Sequence, residues 1–254
     1  MDFFILKEIF MKTCLMNDIK LKFKDLVVKN NLMNENISIE AKVLTTEEAI
    51  GNPIRRDYPL IKGKEKLMQA EFKGSIGQAF TDNPGNFTGT IGEILEMELS
   101  SNLSRAIFIS SVNAITHYLG ITTNTIHCKD EEPESCAEKL VENIKEKYGN
   151  PKITLVGFQP AFLKNLSKNF KIRVLDLDDE KVGTKKNNVL IENGEDNFTA
   201  AIEWCDLVVA TGSTVVNNTL SNFMNTGKPT FFFGTTISGP ARLLDLDRFC
   251  ENSK

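Results

Sequence analysis

The sequence predicts an α/β protein: an N-terminal α+β region followed by a parallel, doubly wound sheet. Three observations carry that expectation. From about residue 121 short strand-like runs alternate with helix-like segments, the order that builds a parallel sheet with helices on both faces. Leu207-Val208-Val209-Ala210 is a continuous apolar run, as in a strand buried on both sides. Ahead of these lies a segment from about Asn102 to Leu119 that is apolar around most of a helix circumference, which suits a helix packed between two layers. The expected division falls near residue 120, giving domains 1–120 and 121–254.

Taken in order, the first 30 residues place Phe3, Ile9, Ile19, Phe23 and Val27 at broadly helical spacing, with Asn30-Asn31 as a stop. Ile37 to Leu44 alternates apolar and polar residues and reads as a strand. Leu67 to Phe72 and Ser75 to Thr81 read as two strands joined at Lys73-Gly74, a hairpin signal. Asp82 to Gly89 is expected as a loop, followed by a short helix from Ile91 to Met97. In the long buried helix, Ser110, Ser111 and Asn113 need partners, and local bonds to the helix backbone are the simplest source. Beyond Gly120 come a helix from Pro133, a strand Ile153 to Val156 and a helix Pro160 to Phe170. Then follow a strand Ile172 to Leu177, a weaker strand Val189 to Ile191, a helix through Trp204 and the strand at Leu207. A helix through Val215, Val216, Leu220 and Phe223 with Gly227 as its cap, then a strand Thr230 to Phe233, complete the pattern.

At 254 residues and 41% hydrophobic the chain can bury one large core or two ordinary ones. A net charge of −4 without a basic stripe argues against nucleic acid as the partner. No apolar run approaches the ~18 residues of a membrane span, and Asp2, Lys7 and Glu8 spoil Phe3 to Leu6 as a signal-peptide core. A cytoplasmic protein is expected, in which the five cysteines are free thiols or ligands rather than staples. A homo-oligomer is compatible with the sequence, which does not set the number of subunits.

In an open parallel sheet, ligands bind beyond the carboxyl ends of the strands. Three turns stand there: Gly157-Phe158-Gln159-Pro160, Thr211-Gly212-Ser213-Thr214 and Gly234-Thr235-Thr236. Glycine and hydroxyl side chains at a strand-to-helix turn offer outward N–H groups to an anion, so Gly157, Thr211, Gly212, Ser213, Thr214, Asn217, Gly234 and Thr235 are candidate ligand residues. Asp176 follows Gly157 by 19 residues, near the ~20 at which a nucleotide-binding sheet places its ribose partner. The first turn lacks the further glycines of a dinucleotide site, and Phe158 and Pro160 fill the pyrophosphate's place. An S-adenosylmethionine-like or nucleotide ligand on Asp176 stays open as an enzyme reading.

The run from Thr125 to Cys136 puts an imidazole and a thiol side by side, His127-Cys128, with Cys136 one short loop later. With Cys250 these make a candidate set for a transition metal ion, since soft thiolates and imidazole suit such ions. The spacing lacks the paired CxxC of zinc modules, and Cys136 also fits the inner edge of its helix as a small hydrophobe. Cys205 reads as core, Cys14 as surface or packing, and His117 as a satisfied histidine. No nucleophile elbow, Walker loop or Ser/His/Asp order occurs.

Asn113-Ala114 in a buried helix, Leu155-Val156-Gly157 before a proline turn and the block Thr211-Gly212-Ser213-Thr214-x-x-Asn217-x-Thr219 resemble the heavy-metal chelation family, from about Glu65 to Phe249. The resemblance implies an enolase-N-like domain followed by a Rossmann-like one, and a protein that binds a metal ion or metal chelate. The expected ligand is small and anionic, held between the Asp82 to Gly89 loop and the glycine turns, with His127 and Cys128 as soft donors. A scaffold whose glycine turns are only tight connections is the third reading.

Overall fold

The computed structural model describes the backbone of residues 3–40, 46–62 and 65–254. Side chains are described from residue 15 onward, except 38–46, 59 and 62–64. The predicted side-chain pattern of residues 3–10, the end of the strand expected to reach Leu44, and the setting of the Cys14 thiol lie outside the described residues.

The chain opens with α1 (Phe3–Lys29), whose Met16, Ile19, Phe23 and Val27 recur every three or four residues and are all buried. β1 (Asn36–Glu40), the short helices α2 (Thr46–Ile50) and α3 (Pro59–Lys62), and the hairpin β2 (Lys66–Phe72) and β3 (Ser75–Thr81) follow. Both hairpin residues sit at positive φ, Lys73 at 49° and Gly74 at 81°, the geometry that matches a two-residue turn to the right-handed strand twist. The segment expected as a loop ends in β4 (Phe87–Thr90), which pairs antiparallel with β1 and completes a sheet of order β3-β2-β1-β4. α4 (Ile91–Glu96) starts at a Thr90/Glu93 capping box, and α5 (Asn102–Tyr118) at Ser101/Ser104.

α5 is buried continuously from Arg105 to Thr116, as its apolar circumference requires. Ser110 and Ser111 donate to the Ile107 carbonyl within the helix. Asn113 does not follow that pattern. Its amide donates to the carbonyls of Gln78, Thr235 and Thr236, and its oxygen accepts the Gly239 N–H. Gly77 lets β3 lie directly on α5: a Cβ there would stand 2.1 Å from the Ala114 nitrogen and 2.4 Å from the Ser110 carbonyl oxygen.

The second sheet is built from α6 (Glu132–Tyr148), β5 (Ile153–Val156), α7 (Pro160–Asn169), β6 (Ile172–Asp176), β7 (Lys185–Lys186), β8 (Val189–Asn193), α8 (Phe198–Trp204) and β9 (Leu207–Thr211). β10 (Thr230–Phe233), α9 (Ser238–Leu244) and β11 (Arg248–Phe249) complete it. Its order is β11-β10-β9-β5-β6-β8-β7, parallel except for the β7–β8 edge. Leu207, Val209, Phe231 and Phe233 pack with α6 and α7, whereas Val208, Ala210 and Phe232 join a core shared with α1, α5 and the first sheet. The sheet is therefore covered on both faces, and one apolar cluster runs from the first sheet into the second.

One expectation fails locally. In place of a helix after Thr214 the chain makes two 3-10 turns, Gly212–Val215 and Leu220–Phe223. Asn218 is left-handed at φ 61°, and Thr219 bonds back to the Thr214 carbonyl and the Asn217 side chain, so the α ladder is cut.

Candidate functional site

The strand order reverses between β5 and β9, which both leave the centre of the sheet with their carboxyl ends side by side. The turns after these strands meet. Gly157 has φ 87°, and a Cβ there would lie 2.6 Å from Thr211 Cγ2, so both the conformation and the contact demand glycine. Asp176, at the end of neighbouring β6, accepts the Phe158 N–H at 2.6 Å and the Asp178 N–H at 2.8 Å. Both of its oxygens thus hold backbone, and the residue fixes the Gly157 turn.

Above this junction lies a cleft of about 980 Å³, at the upper end of the ~300–1,000 Å³ range of small-molecule sites. The second sheet contributes Gly157, Asp176, Thr211, Ser213, Thr214 and Asn217 to its lining, and the first sheet contributes Phe80, Thr81 and Asp82. Among the described residues its ionisable lining is six acids (Glu65, Asp82, Asp176, Asp178, Asp179, Glu195) and one base, Lys181. Lys181 bonds Asp178 at 2.9 Å; burial works against its charge, but Asp178, Asp176 and Glu65 leave the ammonium favoured. Burial first, then the charges of Asp176, Asp178 and Asp82, push the Glu65 carboxyl up to about 7 despite Lys181. Only Asp82 of the expected Asp82 to Gly89 loop reaches this lining, because Phe87 to Gly89 are committed to β4.

The anion-holding turn expected at Thr211 to Thr214 is closed on itself. Thr211 Oγ1 accepts the Ser213 N–H at 3.3 Å, and Thr214 Oγ1 donates to the Thr211 carbonyl at 2.8 Å. Gly212 lines neither cavity; a Cβ there would meet Ile237 at 2.9 Å, so its smallness serves packing.

A second, narrower chamber of about 130 Å³ shares the walls formed by Glu65, Phe80, Gly157, Asp176, Lys181, Thr211 and Ser213. His127, Cys128, Cys136, Gly234, Thr235 and Cys250 all line it, so the loop after residue 120 does reach the ends of the strands. Two anchors put it there. Gln78 Oε1 accepts the His127 N–H, while Arg248 donates to the Gly234 carbonyl and to the Asn124 carbonyl. A further segment, 51–58, is clamped over the chamber. Asp130 accepts the Asn52 N–H, Glu131 the Ile54 N–H, and Arg55 bonds Glu134 at 2.7 Å, which brings Tyr58 into the lining.

Burial lowers the His127 imidazole to about 4 and raises the Cys136 thiol to about 11, and the Cys128 thiol is likewise pushed well up. At neutral pH these are a neutral ring and protonated thiols. Cys250 shares its sulfur with the Ser253 hydroxyl at 2.8 Å. Among the described residues, no three His, Cys, Asp or Glu side chains are placed to hold a metal ion together. The four donors therefore line one chamber without forming a preassembled coordination site, and they do not fit a resident ion.

Four buried side-chain polar atoms among the described residues have no hydrogen-bond partner: Tyr58 Oη, His127 Nδ1, Thr235 Oγ1 and Ser221 Oγ. The first three belong to residues that line this chamber, although the atoms themselves are sealed from it. Each such atom costs about 1–3 kcal/mol unless something meets it. Tyr58 and Glu65 were not legible beforehand, because they sit in short, aperiodic stretches between the strands.

Cys205 is buried with its thiol on the Ile202 carbonyl, and His117 Nδ1 meets the Thr125 hydroxyl, both as expected. No helix of the described residues is long and apolar enough to cross a membrane.

No curated protein matches the chain. A DUF364 protein of unknown function from Pyrococcus horikoshii is similar in structure, with 15% identity and a TM-score of 0.54 over 87% of this chain and 79% of that one. Another DUF364 protein of unknown function, from Desulfitobacterium hafniense, is 11% identical with a TM-score of 0.48 over 70% of this chain and 72% of that one. The first of these likenesses speaks for the fold alone. Residues 140–236, which hold β5, β6, β8, β9 and the turns that meet above them, match the family model DUF364, described as "Putative heavy-metal chelation", and so bear out the family resemblance read in the sequence.

Proposed function

We propose that the chain binds a metal chelate, a metal already carried by a small organic molecule, in the large cleft above β5 and β9. The observation that carries this reading is a lining that, among the described residues, sets six acidic side chains, Glu65 among them partly protonated near neutral pH, against one lysine in a cleft of about 980 Å³. Such a field attracts positive charge and repels bare anions. The sign of the ligand is thus opposite to the anionic one expected from the glycine turns. The metal enters as cargo with its own ligands, which agrees with a chain whose His and Cys donors are not gathered for a free ion. The family description points the same way.

Calorimetric titration with hexaamminecobalt(III), an inert cationic complex, tests the charge. The expected result is saturable binding that weakens with added salt and falls at least about fivefold in Asp82→Asn/Glu195→Gln. Ferric citrate, an anionic chelate, is expected not to bind. Equal binding of the two complexes, or stabilisation by adenosine or S-adenosylmethionine with none by the cationic complex, would overturn the reading. The latter outcome would favour an enzyme on a nucleotide-like ligand.

A further inference from the structure

We propose that residues 51–58 form a hinged cover over the narrow chamber, fastened by three carboxylates and opening without the rest of the fold. The segment is one layer thick. Asn52, Ile54 and Arg56 are exposed, Ile54 at 84%, whereas Pro53 and Tyr58 are buried and line the chamber. A single stretch of chain therefore stands between the chamber and solvent on this side. It carries no helix or strand of its own, so no ladder of backbone bonds ties it down.

What holds the segment is polar and comes from the start of α6 and the loop before it. The Asn52 N–H donates to Asp130 at 2.8 Å and the Ile54 N–H to Glu131 at 2.7 Å. Arg55 bonds one oxygen of Glu134 at 2.7 Å, and Lys164 of α7 bonds the other at 2.9 Å, so Glu134 stays fixed to the body when Arg55 leaves. Water can replace each of these fastenings on the segment. Its apolar packing is also set apart: Tyr58 joins Ala49, Ile50 and Leu67 in a small cluster separate from both large cores. Few apolar contacts and polar fastenings are the marks of a segment that opens locally. Gly51 supplies the turning point, with φ 67° and Asp130 so close that a Cβ would lie 2.2 Å from its Oδ1. Opening admits small molecules to a space whose wall includes the Cys128 and Cys136 thiols. The inference holds whatever the large cleft binds.

Iodoacetamide labelling of the full chain, read by peptide mass mapping, tests this. Cys136 is 6% exposed and lines the chamber, whereas Cys205 is fully buried in the main core and reports opening of the whole fold. In the parent, Cys136 is expected to react at least about tenfold faster than Cys205. Arg55→Gln removes the fastening to Glu134 and is expected to raise the ratio of the two rates about fivefold. Gly51→Ala is expected to raise it as well, because the added methyl pushes the Asp130 carboxylate off the Asn52 N–H. Amide exchange at Ile54 is expected to quicken in step with Cys136 labelling in both variants. A ratio unchanged by both substitutions would overturn the proposal and put the chamber's entrance at the wall it shares with the large cleft. So would Cys136 and Cys205 reacting at one common rate, which would mean that the segment opens only when the whole fold does.

Discussion

Asn113→Ala probes the joint on which the candidate site depends. Asn113 is fully buried, and its side chain meets four partners: the two N–H groups of its amide are shared among three carbonyls, and its oxygen accepts one N–H. Gln78 belongs to the first sheet, whereas Thr235, Thr236 and Gly239 belong to the loop and helix after β10. Four buried groups that lose this partner, at a net ~1 kcal/mol each, put the loss near 4 kcal/mol, against a total stability of ~5–15 kcal/mol for a folded protein. At roughly 2–4 °C per kcal/mol for a chain of this size, the melting point is expected to fall by about 8–16 °C. Hydrogen exchange at the Gly239 amide, which loses its only described acceptor, is expected to accelerate in step. Asn113→Asp adds a sign test: a carboxylate would face three carbonyl oxygens, so this variant should be weaker at pH 8 than at pH 5, where protonation restores a donor. A melting point within about 3 °C of the parent, with Gly239 still protected, would refute the account of Asn113 as the joint.

Three further outcomes follow from the packing and from Glu65. Gly77→Ala forces a methyl group into backbone atoms of α5 at 2.1 and 2.4 Å, and urea unfolding is expected to show a loss of about 3 kcal/mol. Gly157→Ala combines a left-handed φ of 87° with a 2.6 Å contact to Thr211, so it is expected to weaken hexaamminecobalt(III) binding as well as stability; Thr211→Ser relieves the contact but not the strain. Glu65 has a folded pKa of about 7, above its ordinary 4.5. The fold therefore binds the extra proton, and stability is highest below pH 4.5 for this group and declines as pH rises through 7. Glu65→Gln is expected to flatten that decline and to gain about 2–3 kcal/mol at pH 8, read from melting curves across pH 5–8.

Much of the fold was legible because its signals are local. Continuous apolar strands such as Leu207 to Ala210, the Lys73-Gly74 turn and the apolar girth of α5 each reflect a single physical requirement written in neighbouring residues. β4 was not legible, since four residues beside Pro84-Gly85 carry too short an alternation, and only pairing with β1 makes them a strand. The helix expected after Thr214 had the right apolar spacing, but Asn217 and Asn218 gave the backbone other partners. The turns at Gly157 and Thr211 were found from glycine and strand ends alone. What they surround was not, because the acidic lining is assembled from Glu65, Asp82, Asp176 and Glu195, which lie far apart in the chain.

The same distinction explains why the metal expectation changed form. His127 and Cys128 are neighbours in sequence, and neighbouring donors suggest ligation. Consecutive residues in an extended loop, however, do not aim at one point, and Cys136 is tied to the inner edge of α6. Bringing the four donors onto one ion would mean moving the 123–131 loop against the Gln78 and Arg248 bonds that hold it. Those bonds place the imidazole and the thiols as walls of an aromatic chamber. The carboxylates of the adjoining cleft need no such movement to attract a cation, so the geometry favours a metal that arrives already coordinated over one captured bare.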